Sequence, residues 1–277
     1  CRSSRLLAVV KERRQGCMKS TAIFLLGLSL CLPLSAQPDI NAGLIAYYAF
    51  EGNTADSGPY GLDGVLSNAS FTPGHSGLGL RILGLQDSFV EVAGDPVLSP
   101  QDEVSVSVWV KVLTPPPIHG GLIYKAAIEP TSNGFQDRSY ALWIRNNGVV
   151  QISSTPEGAS SQVYCNSEEG AVAFGEFVHL VGVVSAKSRT MTVYANRNKV
   201  LSCDYPGNAI RQGNYPLRIG APFFTLSDQN ALDAIVDEVR IYDRTLSDAE
   251  VEQLYVASGG FCSPRRAAAT ATVMNGF

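Results

Sequence analysis

Few groupings in this chain have the residue types and spacing that chemistry needs. The run IVDEVRIYDRTLSDAEVEQLY (235–255) carries one of them, a carboxylate on a strand face that otherwise reads as apolar. Strand side chains alternate between faces. Counting by twos puts Ile235, Asp237, Val239 and Ile241 on one face and Val236, Glu238, Arg240 and Tyr242 on the other. A carboxylate among apolar neighbours takes up a proton or finds a cation or hydrogen-bond donors. Asp237 is therefore a candidate ligand for a hard cation, with backbone N–H groups, Arg218 or Arg240 as alternative partners. Carboxylate pairs suited to hydrolysis are not found. Glu168 and Glu169 in SEEG (167–170), like Asp237 and Glu238, are adjacent in sequence and face apart. His75, His119 and His179 are scattered, and no His-Glu-x-x-His, Cys-x-x-Cys or Gly-x-Ser-x-Gly motif occurs. His179 reads as a packed or hydrogen-bonded strand residue. Catalysis is not expected.

Binding residues are easier to find. A sugar offers an apolar ring face and a rim of hydroxyls, so aromatic side chains beside polar ones suit it. Trp109 shares the mixed face of VSVSVWVKV (104–112) with Ser105, Ser107 and Lys111, though a buried position under a loop is its other reading. The loop APFFTLSDQN (221–230) sets Phe223 beside Phe224, and two adjacent aromatics in a polar loop cannot both pack inward. A second loop, IEPTSNGFQDRS (128–139), offers Asn133, Gln136 and Asp137. The strand YALWIR adds Tyr140 and Trp143.

The elements that must position these residues are strands. GLIAYYAF (43–50), DSFVEVA (87–93), VSVSVWVKV (104–112), YALWIR (140–145), VVQIS (149–153), FVHLVGVVS (177–185), MTVYAN (191–196), PLRIGA (216–221) and AIVDEVRIYD (234–243) alternate or run apolar, with Gly, Asn, Pro and Asp clusters between them. Many short strands separated by turn signals predict an all-β sandwich or barrel. Only one helix is expected. Ser247-Asp248-Ala249-Glu250 is a capping box, Val251, Leu254 and Tyr255 follow at helical spacing, and Gly259-Gly260 stops it.

The ends read differently. Residues 18–36, MKSTAIFLLGLSLCLPLSA, have the positive start, apolar stretch and small-residue site of a secretory signal peptide. Residues 1–17 precede it as an extension without a folding pattern. Of the 277 residues, 17% are charged, with a net charge of −4. Without residues 1–36, which hold six Lys/Arg and one acid, 15 basic residues face 24 acidic ones, a balance of −9. Such a surface has no electrostatic reason to bind nucleic acid. Three of the six cysteines lie beyond residue 36. Cys165 and Cys203 close the runs SSQVYC and NKVLSC, where a disulfide could staple neighbours in an oxidising compartment, two free buried thiols being the alternative. Cys262 is left for a partner elsewhere, and 259–277 read as a linker and the truncated start of a further module.

Four stretches in order resemble the laminin-G-like, concanavalin A-like jelly-roll family of extracellular sandwich domains. LIAYYAFEGNTADSGPYGLDGVL is similar to its first strand and Asp-Ser-Gly-rich loop, and DSFVEVAGDPVLSPQDEVSVSVWVKV to the following strand pair. EFVHLVGVVSAKSRTMTVYANRNKV is similar to its central hairpin, with Phe177 where the family usually has Trp. VDEVRIYDRTLSDAEVEQLY is similar to its closing strand and helix. The resemblance covers about 43–258, in a domain taken as 40–258, and implies an antiparallel two-sheet jelly roll, a frequent structural calcium, and carbohydrate or protein binding. In such sandwiches the acid of the last strand joins oxygens of the N-terminal segment. Here that would place calcium between Asp237 and Glu51, Asn53, Asp56 and Asp63, with Tyr60 where the loop often has Asn. Glycosidases of this fold carry carboxylates alternating along one strand, and no such run is present. The reading is a secreted or surface-displayed, non-enzymatic module that binds a glycan or surface component, stabilised by calcium, within a longer multidomain protein. A structural or adhesive spacer and a glycoside hydrolase are its rivals.

Overall fold

A computed structural model describes residues 38–128, 137–223 and 230–259. The extension, the signal-like segment, Cys262 and the tail from residue 260 lie outside the described residues. In chain order the strands are β1 (Leu44–Tyr48), β2 (Gly64–Ser67), β3 (Ser70–Pro73), β4 (Leu78–Leu83) and β5 (Phe89–Val92). After a 3-10 turn at Pro96–Leu98 come β6 (Glu103–Thr114), β7 (His119–Ala126), β8 (Arg138–Arg145), β9 (Val150–Ser154) and β10 (Val163–Asn166). The rest are β11 (Phe177–Ser185), β12 (Thr190–Ala195), β13 (Asn198–Asp204), β14 (Leu217–Ile219), β15 (Asp233–Tyr242) and the helix α1 (Asp248–Ala257). The expected strands are present. β2, β3, β4, β7, β10 and β13 lay outside the nine runs read as strands, because they are short, edge-placed or rich in glycine.

Two antiparallel sheets form. Sheet A runs β13-β12-β11-β6-β15-β4-β3, with β1 also paired to β15, and sheet B runs β10-β9-β8-β7-β14-β5-β2. Alternation builds the core between them. Val104, Val106, Val108, Val110 and Val112 of β6 face Leu142 and Ile144 of β8, Val150 and Ile152 of β9, and Leu217 and Ile219 of β14 in one apolar cluster. This is the jelly-roll-like all-β sandwich expected.

The sheets differ on their outer faces. On sheet A, Val251 and Leu254 of α1 pack with Val181, Val183, Tyr194 and Tyr242. The capping box starts that helix, with Ser247 Oγ accepting from the Glu250 N–H at 3.3 Å and Glu250 Oε2 from the Ser247 N–H at 2.8 Å. On sheet B, the outer face carries Tyr124, Ala126, Ala141 and Trp143, with Phe223 packed against them. Among the described residues no helix covers that face.

Cys165 and Cys203 are bonded, with Cα atoms 6.6 Å apart. Each sits one residue before the end of its strand, Cys165 in β10 and Cys203 in β13. Since β10 and β13 are edge strands of different sheets, the bond closes one open side of the sandwich.

Candidate functional site

Asp237 is buried, with 0% exposure, but not on the core face. The core-facing residues of β15 are Ala234, Val236, Val239 and Ile241. Their spacing skips a residue because the pairing with β6 shifts between Asp237 and Arg240, and Glu238 adopts a left-handed φ of 53°. A bulge moves every later side chain to the opposite face. Strict counting by twos therefore put Asp237 on the wrong side. It pairs with Trp109 on the outer face, where β15 changes neighbours from β4 (233–236) to β1 (239–242).

The Asp237 carboxylate is spent on main-chain donors. Its Oδ2 accepts from the His75 and Ser76 N–H groups at 2.8 and 2.9 Å, and Oδ1 from Glu238 N–H at 2.8 Å. Burial outweighs these donors and lifts its carboxyl to about 7. Gly74 is required here, since a Cβ on it would lie 2.6 Å from Asp237 Oδ2. The five residues expected to ligate calcium do not close into one cage. Asp56 accepts from the N–H groups of Tyr47, Gly58 and Leu62, Asp63 from Asp56, and Asn53 from Ala55. Glu51 alone reaches the turn that Asp237 holds, accepting at Oε2 from Leu78 N–H at its far end. No group of three or more His, Cys, Asp or Glu suited to a metal occurs among the described residues. An oxygen ringed by N–H donors suits a structural acceptor better than a cation ligand, so the expected set does not fit calcium as it stands.

Trp109 is also enclosed. It is 3% exposed, stacked under His75 with ring centroids 3.5 Å apart, and flanked by Tyr255 of α1 at 5.4 Å. The turn that Asp237 holds and the helix together roof it over, so Trp109 is not a ligand platform. His179 completes this layer, with Nε2 2.8 Å from Ser107 Oγ.

The accessible arrangement lies on sheet B. Pairing across the sheet aligns Tyr164 with Ser153, Ser153 with Ala141, Ala141 with Tyr124, and Tyr124 with Arg218. A second row joins Asn166, Gln151, Trp143 and Gly121, and His119 pairs with Arg145 beside it. Gly121 makes room for Pro222, whose Cδ would lie 3.0 Å from a Cβ there. The result is a groove of about 450 Å³ lined by His119, Arg138, Trp143, Arg145, Gln151 and Tyr164, among others. Tyr164 is 58% exposed, whereas Trp143 is 4% exposed and forms the floor. The Arg138 guanidinium lies 5.2 Å over Trp143 and 5.3 Å over Tyr124, donating to Tyr124 Oη at 3.2 Å and Ser153 Oγ at 3.1 Å. Burial, then Arg145 and Arg138, hold His119 below its ordinary pKa. The groove is thus an aromatic floor with amide and guanidinium donors at its walls.

Of the residues expected to bind ligand, Phe223 comes to this face, packed 6.0 Å from Tyr124 and under the Arg218 guanidinium at 4.1 Å. Asp137 is engaged with Arg211 at 3.5 Å. Phe224, Asn133 and Gln136 lie outside the described residues. Tyr164, Gln151, Arg145 and His119 were not anticipated. Their signal was the outward positions of consecutive strands, Trp143 and Arg145, then Gln151 and Ser153, then Tyr164 and Asn166.

A family model described as "Concanavalin A-like lectin/glucanases superfamily" matches residues 85–252, more than half of the chain. Among curated proteins no sequence matches. Among solved structures, the binding domain of Paraclostridial Mosquitocidal Protein 1 is similar at a TM-score of 0.63 and 14% identity, over 79% of this chain and 53% of that one. The binding domain of botulinum neurotoxin serotype G gives 0.61 and 14%, over 77% and 51%. The chain therefore spans about half the length of these toxin domains. Domain 4 of AbnA, a GH43 extracellular arabinanase from Geobacillus stearothermophilus in complex with arabinotriose, gives 0.57 and 20%, over 76% and 97%.

Proposed function

This chain belongs to the concanavalin A-like lectin/glucanase superfamily, and from that premise we propose that it is a secreted or surface-displayed, non-enzymatic module that binds a glycan on the outer face of sheet B. One observation carries the reading. That face, unlike sheet A's, has no helix over it among the described residues, and it holds a groove with an exposed Tyr164 beside the polar side chains of Gln151, Asn166 and Arg145. An aromatic ring takes the apolar face of a pyranose and the amides take its hydroxyls. Glycoside hydrolysis needs two carboxyl groups flanking the bond, and no described residue lining this groove has one. The similar structures, binding domains of toxins and an arabinanase domain in complex with arabinotriose, support binding over catalysis. The disulfide suits an oxidising compartment, and no described helix is long and apolar enough to cross a membrane.

The test is a glycan array probed with the wild-type chain and with Tyr164→Ala. Binding that Tyr164→Ala loses, at an unchanged melting temperature, supports the reading. An array with no bound glycan, or one indifferent to Tyr164, overturns it. Structural calcium, which a carboxylate ringed by N–H donors does not favour at Asp237, is a separate question put to a chelator. A fall in melting temperature on adding a chelator supports it, and an unchanged one removes it.

A further inference from the structure

We propose that the sheet B groove selects an acidic sugar, a pyranose whose anionic group is held by Arg145 while its ring lies against Tyr164. This rests on the reading of the groove as a glycan site. Three observations point to it. The whole chain carries a net charge of −4, yet among the described residues lining the groove are Arg138, Arg145 and His119 and no acid. A basic recess in an acidic protein attracts anions against the sign of the remaining surface.

The second observation separates the two arginines. Arg138 is 7% exposed and committed to Tyr124 and Ser153, so it belongs to the floor. Arg145, at the end of β8, is only partly buried and makes no ion pair among the described residues, whereas Arg81, Arg211, Arg218, Arg240 and Arg244 each hold a carboxylate within 4 Å. Its forked donors are free to grip a carboxylate or sulfate, a charge-assisted geometry about twice as strong as a neutral hydrogen bond.

The third lies at the groove's rim. Gln162 precedes Tyr164 on the same side of the chain, and its buried side-chain Oε1 has no hydrogen-bond partner among the described residues. A buried amide left unsatisfied is costly, and an adjacent sugar hydroxyl would satisfy it. The groove thus offers a cation for the charged substituent, an aromatic ring for the pyranose and an amide for a hydroxyl.

Matched immobilised glycans test this, namely neutral oligosaccharides, uronate- or sialate-bearing ones, and sulfated ones. Each is probed with wild type, Arg145→Gln and Arg145→Lys. The inference expects acidic glycans to bind at least about tenfold more tightly than their neutral counterparts, the scale of one charge-assisted contact. Arg145→Gln should abolish that preference, and Arg145→Lys should restore part of it. Carboxylated and sulfated arms report which anion is preferred. A wild type that binds neutral and acidic glycans equally, or an acidic preference that survives Arg145→Gln, overturns the inference while leaving the glycan site standing. Binding of no glycan of any class removes both. Unchanged melting temperatures separate loss of contact from loss of fold, and His119 adds an independent readout. Its NMR-detected pKa should rise when an acidic glycan is bound, because an anion beside Arg145 offsets the positive field, and should stay put with a neutral one.

Discussion

At the scale of single residues, His179 states the energetics most directly. It is 1% exposed, its Nε2 meets Ser107 Oγ, and its Nδ1 finds no partner among the described residues. Burial, reinforced by the positive charges of Arg240 and His75, pushes its pKa down to about 3. The folded ring therefore stays neutral at pH values where the unfolded ring, near 6.5, takes a proton. A depressed folded pKa stabilises the fold above the unfolded value, and that stability is lost as pH falls through 6.5 toward 3. Between pH 7.5 and 5 the loss should reach about 2 kcal/mol, at roughly 1.4 kcal/mol per pH unit below 6.5. Asp237, lifted to about 7, has the opposite dependence over the same range, so urea melts should show the His179 share as a difference in slope between wild type and His179→Gln. Equal slopes would mean that the ring charges in the folded state. The sequence already showed His179 as a packed strand residue. Its partners were invisible there, since Ser107 and Trp109 of β6 and Tyr255 of α1 reach it from two other places in the chain.

At the scale of elements, what counting could not see was a bulge. The valines of β6, the capping box of α1 and the turn clusters were all legible, because each signal is local and periodic. The reversal of faces at Asp237 was not, because it depends on β4 and β1 sharing one side of β15. No residue type announces that change of neighbour. Glu238 takes the left-handed backbone although it is not glycine, and its side chain is anchored there by Tyr47 Oη at 2.9 Å and Arg240 at 2.8 Å. The consequence is mechanical. Asp237 ties the Gly74–Gly77 turn to the sheet, and that turn lays His75 on Trp109. Asp237→Ala would leave the His75, Ser76 and Glu238 N–H groups without their acceptor, at a cost of about 1–3 kcal/mol. The turn should lift, and tryptophan emission should shift to longer wavelength as Trp109 meets water, with Trp143 an internal standard on the opposite sheet. Emission that stays at the wild-type wavelength would show that α1 alone holds the layer closed.

Across the whole molecule the asymmetry of the two sheets assigns the work. Sheet A spends its outer face on α1 and the His75 turn. Sheet B leaves its outer face to a groove, and the groove's far wall is the edge strand β10. An edge strand has one neighbour and is the first part of a sheet to fray. Cys165 lies between Tyr164 and Asn166 on that strand, and its bond to Cys203 fastens the strand to the edge of the other sheet. The cysteine's alternation with Tyr164 and Asn166 means that the covalent anchor points inward while the groove-lining side chains point outward. The bond spans 38 residues, and on a chain-entropy basis contributes about 4 kcal/mol. Replacing both partners, Cys165→Ser with Cys203→Ser, should lower stability by up to that amount. Function should suffer separately. With β10 held only by β9, amide hydrogen exchange at 163–166 should rise well before that of β8, and glycan affinity should fall at temperatures where the variant is still folded. The two effects have different readouts, so they can be told apart. A variant that melts earlier yet keeps wild-type affinity and wild-type exchange on β10 would make the disulfide a clamp on the sandwich alone. Exchange confined to β10, together with weakened binding, would make it a device that holds the groove's wall in place.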